Sequence, residues 1–362
     1  MWRNTVSSIT IGAHRIAAGA PLFVVAEIGV NHGGSLSRAL ALVDAAAAAG
    51  ASAIKLQTIV AADLVAPSSL APQHVKAASL VDFFSAFELD ERAHGAVVAR
   101  ARDHGLAALA TPFSLDAVDM LERVGIDGYK IASGDVTFEQ LIRRCARTRK
   151  PLVISTGMSH LDEVSHAVGV ARGAGATDIA LLHCVSAYPV PDGSEQLASI
   201  RALGESFDVP VGLSDHSVDA AFSLPLAVAM GASLYERHIL QARGDGSVDE
   251  AVSSTPDELA RLVALAARAT TAIGSTVKQC SAAEAPNMIA SRRALYARRS
   301  LKAGAAVTSD DIVALRPAIG LAPVYERELL GATLTRDVAA GTPFFESDID
   351  SYRLLRRTRA VA

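Results

Sequence analysis

The feature that most constrains this chain is a rhythm. Short apolar runs rich in β-branched residues alternate with longer helical patterns, strand then helix, from residue 23 to residue 273. The strand-like runs are FVVAEIG (23–29), AIKLQT (53–58), LAALATPF (106–113), GYKIAS (128–133), PLVIST (151–156), DIALLHC (178–184), VPVGLSDH (209–216) and SLYERHI (233–239). Helical patterns follow them over 35–49, 88–104, 114–124, 137–147, 160–173, 194–203, 218–230 and 256–273. Eight such units in about 250 residues predict an α/β fold of the (β/α)8 TIM barrel type. A doubly wound open sheet can hold eight strands too, but the unit count and length favour closure. Ser35 is placed to cap the first helix and Gly50 to end it. Thr255-Pro256, followed by Asp257 and Glu258, opens the last.

After residue 274 the rhythm stops. Ser281 to Asn287 reads as a linker, and short strands and turns follow. Two stretches, RRSLKAGAAVTSDDI and TRDVAAGTPFFESDI, share a theme: a basic residue, an apolar residue, x-Ala-Gly, a short apolar run, then a serine and a closing Asp-Ile. This predicts a small β-rich domain built around two Ala-Gly turns. The expected division is a barrel over 1–275, a linker over 276–290, the small domain over 291–352 and a tail over 353–362. So small a domain has little core of its own and is expected to lean on the barrel or on another subunit. The tail carries Arg353, Arg356, Arg357 and Arg359 and reads as a solvated end.

Composition narrows the class. Half of the 362 residues are apolar and a fifth are charged, a core-forming balance. The net charge of −4 argues against a nucleic-acid binder, which needs a basic excess. Cys145, Cys184 and Cys280 are odd in number and far apart, so a reducing, cytoplasmic setting is expected rather than a disulfide or cysteine–zinc scaffold. No apolar run reaches ~18 residues, and the N-terminus has no leader pattern, so no membrane association is expected. The alanine excess is stock for building helices.

Chemistry in α/β barrels sits at the C-terminal ends of the strands. Here all eight ends carry polar groups: Glu27 and then Asn31-His32-Gly33-Gly34; Lys55 and Gln57; Thr111; Lys130, Ser133 and Asp135; Ser155-Thr156; His183, with Ser186 and Tyr188 beyond; Ser214-Asp215-His216; and Glu236-Arg237-His238. One such residue is an ordinary strand end. Eight ends converging on one mouth cost desolvation energy unless they serve a ligand. His216 and His238 end adjacent strands and suit a shared divalent ion, hydrogen-bonded core histidines being the competing reading. Lys55 and Lys130, among the hydroxyls of Thr111, Ser133 and Ser155, suit a phosphate or a phosphate plus carboxylate, with a Schiff-base lysine as the rival role. Cys184, in an apolar strand, reads as inert.

The segments AEIGVNHGGSLSRALALVDAAAAAGASAIKLQT, YKIASGDVT, KPLVISTGMS, LLHCVSAYPVP, VGLSDHS, YERHI and ALRPAIG, in this order, resemble the sialic acid synthase (N-acetylneuraminate synthase) family from about residue 20 to about residue 350. The resemblance implies a barrel followed by an antifreeze-like (SAF) domain. It implies condensation of phosphoenolpyruvate with an N-acylated amino sugar such as N-acetylmannosamine, giving a nine-carbon 2-keto acid and phosphate. It also implies a divalent ion, Mn²⁺ first with Mg²⁺ or Co²⁺ as alternatives, held by His216 and His238. Lys55, Thr111, Lys130, Ser133 and Ser155 would surround the phosphate, with Gln57 and Ser214 at the carboxylate. Glu27, Tyr188 and Asp249 would lie around the sugar, with Glu27 handling protons. Asp135 is counted with Glu27 and the histidines among the catalytic groups, and Asp215 among the substrate-binding ones. Arg316 would enter a partner subunit's barrel in a swapped homodimer. Departures from the family pattern fall near the sugar: Gly134-Asp135, Ser186-Ala187 and Ser247-Val248-Asp249. They leave open a pseudaminic or legionaminic acid synthase acting on a diacetamido-trideoxyhexose. A pyruvate aldolase and a non-catalytic sugar-binding protein are the remaining readings.

Overall fold

The structure, a computed structural model, describes residues 8–69, 77–275 and 277–350. It forms two compact units, Met1–Gly274 and Ser275–Ala362. The first begins with an antiparallel hairpin, β1 (Ser8–Ile11) and β2 (His14–Ala17). Eight parallel strands follow: β3 (Phe23–Gly29), β4 (Ala53–Thr58), β5 (Ala107–Pro112), β6 (Gly128–Ile131), β7 (Leu152–Ser155), β8 (Ile179–Cys184), β9 (Val211–Asp215) and β10 (Leu234–Ile239). Each pairs with its neighbours in chain order, and β10 pairs with both β9 and β3, so the sheet closes into the TIM barrel that the rhythm predicts. A two-residue strand, β11 (Ser253–Ser254), adds to the end of β10.

The helices of this unit are α1 (Leu36–Ala48), α2 (Ala61–Leu64), α3 (Leu80–Ser85), α4 (Glu91–Asp103), α5 (Leu115–Val124), α6 (Glu139–Arg147), α7 (Leu161–Gly173), α8 (Ala198–Phe207), α9 (Ala220–Ala229) and α10 (Pro256–Ile273). Side-chain caps start several of them. Ser35 accepts from the Arg38 N–H and Ser114 from the Ala117 N–H, and Thr255 and Glu258 form a capping box. The helix α8 starts four residues later than the sequence pattern suggests. Its buried face is Ile200, Leu203 and Phe207, and this spacing rather than the polar stretch before it sets the helix.

Alternation along the strands sorts side chains into two layers. Outward residues such as Val24, Ala26, Ile54, Leu56, Tyr129 and Ile131 pack against the helices. Inward residues at the N-terminal end, including Phe23, Val25, Ala53, Leu109, Val153, Leu182 and Leu234, form a separate apolar cluster with Ile9, Ile11 and Ile16 of the hairpin. The hairpin, which the strand–helix rhythm does not predict, is therefore the floor of the barrel. Gly212 faces inward too. A Cβ there would run into the Leu234 carbonyl oxygen and lie 2.8 Å from Leu182 Cδ2, so the strand needs glycine at this point. Toward the C-terminal end the inward positions become polar: Glu27, Lys55, Lys130, Ser155, Ser214 and Glu236 are all buried.

The second unit has its own core, in which Leu295, Leu301, Val307, Ile312, Leu334 and Phe344 are buried together. Its regular elements are α11 (Ala285–Ser291), the antiparallel pair β12 (Ala294–Ala297) and β13 (Ile312–Leu315), and the short α12 (Glu326–Leu329). The segment expected as a linker thus ends in a helix of about two turns. Pro286 stands in its first turn, where the missing N–H is harmless. The sequence theme is a structural repeat. Asp311 accepts from the Thr308 N–H and pairs with Arg299, while Asp348 accepts from the Phe345 N–H and pairs with Arg336. A bridge between Leu301 and Val338 joins the two copies. The arginine-bearing tail lies outside the described residues. Among the described residues no helix is long and apolar enough to cross a membrane.

Candidate active site

Four charged side chains meet inside the barrel. Lys55 Nζ lies 3.1 Å from Glu27 Oε2 and 3.3 Å from Glu236 Oε1, and Lys130 Nζ lies 3.4 Å from the same Glu236 oxygen. Each of the four is at most 5% exposed. Ser214 Oγ donates to Glu236 Oε1 at 2.8 Å, Gln57 Nε2 donates to Glu27 Oε1 at 3.1 Å, and Lys55 Nζ reaches Thr111 Oγ1 at 3.4 Å. Strand alternation does this: residues two apart on β3, β4, β9 and β10 point to the same side.

Burial acts to raise both carboxylates, and their partners set them apart. It pushes Glu27 up to about 7, with Lys55 pulling against it and the Glu236 charge adding to it. Burial also acts to raise Glu236, but Lys130, Lys55 and the Ser214 hydroxyl outweigh it and hold its carboxyl well below the usual range. Lys55, desolvated but between two carboxylates, is raised; burial lowers Lys130, with Glu236 pulling against it and the Lys55 cation adding to it. Glu236 is thus the fixed negative charge and Glu27 the group poised to exchange a proton. Glu236 Oε2 and Ser155 Oγ are buried without a hydrogen-bond partner. Unsatisfied groups at the same end of the barrel as two ammonium ions mark a place built for a polar ligand.

One inward step further along β9 and β10 come His216 and His238. Their ring centroids are 5.7 Å apart. His216 Nδ1 lies 3.1 Å from the Val185 carbonyl oxygen and 3.7 Å from Cys184 Sγ. His238 Nδ1 faces Asp249 Oδ2 at 3.3 Å, off the line of a well-formed hydrogen bond. Burial pushes His238 down to about 3, with Lys55 adding to the effect, so the ring is neutral. A proton held on Nδ1 toward such an acceptor leaves Nε2 with the lone pair through which imidazole ligates a metal. Tyr188, half exposed, lies 4.1 Å from His216, ring centroid to ring centroid.

The remaining sequence candidates are distributed differently. Ser133 Oγ accepts from the Gly157 N–H at 3.0 Å, and burial lifts the half-buried Asp135 to about 6. Asp215 requires a correction. Its carboxylate faces outward, taking hydrogen bonds from Ser223 Oγ, Tyr235 Oη and the Ser217 N–H. It braces β9 against β10 and α9 and does not face the mouth, because Ser214 and His216 occupy the inward positions on either side of it. His183 also faces outward, bonding the Glu195 carbonyl oxygen. Arg316 lies in the second unit, exposed just past β13. Cys184 is buried but sits beside His216 rather than among apolar side chains alone. Burial acts to raise its thiol, and His216 and Lys130 outweigh it. Two residues gain importance that their sequence positions did not give them. Glu236 braces both lysines, and its spacing of two from His238 was the available signal. Asn31 bonds to residues more than 200 positions away.

Fold and site together define a TIM-barrel protein with a carboxylate-braced pair of lysines below a pair of imidazoles. The chain belongs to the NeuB family, whose model matches residues 42–278, and it carries an SAF domain over residues 292–350. It is similar to the N,N'-diacetyllegionaminic acid synthase of Legionella pneumophila, 34% identical over 338 residues, covering 91% of this chain and 95% of that one. It is similar to the pseudaminic acid synthase of Campylobacter jejuni, 33% identical over 334 residues, covering 90% and 96%. Among solved structures, an N-acetylneuraminic acid synthetase from Leptospira borgpetersenii superposes with a TM-score of 0.72 at 30% identity, covering 78% of this chain and 95% of that one.

Proposed function

We propose that the chain is a nonulosonic acid synthase. It condenses phosphoenolpyruvate with the open-chain aldehyde of an N-acylated amino sugar and releases phosphate. The observation that carries this reading is the juxtaposition of Lys55, Lys130 and Glu236 with the His216–His238 pair in one barrel mouth. The two ammonium groups, with the Thr111, Ser133 and Ser155 hydroxyls, would hold the phosphoryl group, and Gln57 and Ser214 the carboxylate. In the reaction, C3 of phosphoenolpyruvate bonds to the aldehyde carbon, water adds at C2, and the C–O bond to phosphate breaks. Lys55 and Lys130 stabilise the charge leaving with phosphate. Glu27, raised toward neutrality, gives or takes a proton at a sugar oxygen, and Asp135 is a second half-buried carboxyl for that task. His216 and His238 fit a divalent ion of the Mn²⁺ type, because the two rings stand side by side, His216 Nδ1 against the Val185 carbonyl oxygen and His238 Nδ1 facing the Asp249 carboxylate. When bound, such an ion supplies Lewis-acid polarisation of the aldehyde. Tyr188 and Asp249 lie beside the imidazoles, where the sugar would sit.

N-acetylmannosamine is the prototype sugar. A diacetamido-trideoxyhexose is the second reading, favoured by relatives named legionaminic and pseudaminic acid synthases at 33–34% identity. The N-acetylneuraminate-9-phosphate synthase of Mus musculus stands at 27%. We also place the enzyme in the cytoplasm, in keeping with its three unpaired cysteines. As for assembly, we place it in a swapped homodimer in which the exposed Arg316 completes a partner's site. The test is phosphate release from phosphoenolpyruvate with Mn²⁺ and a panel of N-acylated hexosamines. Release with one sugar identifies the substrate; no release with any overturns the reading. Light scattering of the native protein and of R316A tests the dimer, and a monomeric active enzyme would overturn it.

A further inference from the structure

The turn after β3 carries a fully engaged buried amide. Asn31 is 1% exposed. Its Nδ2 donates to the Ile239 carbonyl oxygen at 2.9 Å and to Ser253 Oγ at 2.9 Å, and its Oδ1 accepts from the Asp249 N–H at 3.1 Å. Ser253 Oγ in turn donates to the Asp249 carbonyl oxygen at 2.7 Å. Asn31, Ser253 and the backbone of Asp249 therefore close a ring, and both N–H groups and the oxygen of the amide are used. The carboxylate of Asp249, so anchored, faces His238 Nδ1 at 3.3 Å. The other Asn31 donor holds Ile239, the residue next to His238. One side chain thus fixes both members of the Asp249–His238 contact, across the seam where the first and last barrel strands pair.

We propose that Asn31 is a positioning residue for the metal-binding imidazole: it holds Asp249 where its carboxylate orients His238. The proposal rests on the reading of His216 and His238 as metal ligands. Partners behind a ligating histidine fix ring orientation and basicity, and their loss costs about 10–100-fold in metal affinity. No residue type but an amide matches these contacts. Aspartate at this position has no donor for the Ile239 carbonyl oxygen, and alanine removes all three contacts.

The test is Mn²⁺ affinity of the full-length protein without substrates, read by electron paramagnetic resonance of free Mn²⁺, beside the melting temperature of the metal-free protein. N31A is expected to weaken Mn²⁺ binding about 10-fold or more, as is D249N. The double variant N31A/D249N is expected to lose no more than about twofold beyond D249N alone, since both changes break one chain of contacts. S253A, which keeps the amide and breaks only the ring, should weaken binding in the same direction, and it carries the test if N31A does not fold. Mn²⁺ affinity of N31A or S253A within twofold of the native protein overturns the proposal, as do losses that multiply in the double variant. A native protein that binds no Mn²⁺ overturns the metal reading itself and this proposal with it. Native binding that is untouched by the variants overturns only the role of Asn31.

Discussion

Replacing Glu236 by glutamine keeps the shape of the side chain and removes one charge from the centre of the barrel. Its Oε1 stands 3.3 Å from Lys55 Nζ and 3.4 Å from Lys130 Nζ. At an effective dielectric of about 20, each contact is about 5 kcal/mol of Coulomb attraction. Lys55 keeps Glu27 at 3.1 Å, whereas no other carboxylate within salt-bridge distance of Lys130 is found among the described residues. Some of the loss is offset, because a neutral amide is easier to bury than a carboxylate. Breaking a buried pair by removing one partner costs about 3–5 kcal/mol net. For a unit of this size that is a fall in Tm of roughly 10 °C. The deficit has a signature beyond its size. The abandoned ammonium groups suit an added dianion, so inorganic phosphate should raise the Tm of E236Q more than that of the native protein. The deficit should also shrink with rising pH: a lysine depressed in the folded state binds fewer protons than in the unfolded state, and stability then rises with pH. Thermal melts at pH 6 and pH 9, with and without phosphate, read all three effects. A Tm within a degree or two of native, or equal stabilisation of both proteins by phosphate, would refute the picture of Glu236 as the brace of the lysine pair.

Glu27 should leave its own mark on stability. Its folded-state pKa is raised from 4.5 to about 7, so between those values the folded protein holds a proton the unfolded chain has lost. Stability contributed by this group falls as pH rises through that window, and the Tm–pH curve of E27Q should lack the fall. The same variant should lose the limb near pH 7 from any rate profile of the proposed condensation. Gly212→Ala should fail to give soluble barrel, since a backbone carbonyl cannot rotate away from the new methyl as side chains do in ordinary overpacking, which costs about 1–3 kcal/mol; soluble expression with native circular dichroism would contradict this. Alkylation of the native protein should label exposed Cys280 and spare buried Cys145 and Cys184 until denaturant is added, which peptide mass spectrometry checks.

The barrel was legible because its signal is repeated eight times and each unit is local. Inward placement of Lys55 with Gln57, and of Ser214 with His216, follows from the same period of two. That period also puts Asp215 outside, and its carboxylate does point away from the mouth, bonded to Ser223 and Tyr235. What sequence could not show were contacts made at long range. Asn31 meets its partners 208 and 222 residues away. The floor hairpin has four residues per strand, and the inward residues it touches are spread from Phe23 to Leu234. The charges in the mouth were visible one by one. Their pairing, which makes Glu236 a fixed anion and Glu27 a proton carrier, required distances.

The floor has a consequence for how the chain is made. Ile9, Ile11 and Ile16 are synthesised before any barrel strand, yet the apolar pit they fill is not complete until Leu234 on the last barrel strand is in place. For most of synthesis the hairpin has no finished surface to dock on. The barrel therefore closes late, and its two ends in sequence, the opening hairpin and β10, must be present together before its interior is sealed from water. A chain truncated before β10 would carry both an open sheet edge and an unplugged apolar base, the combination that chaperones and proteases recognise.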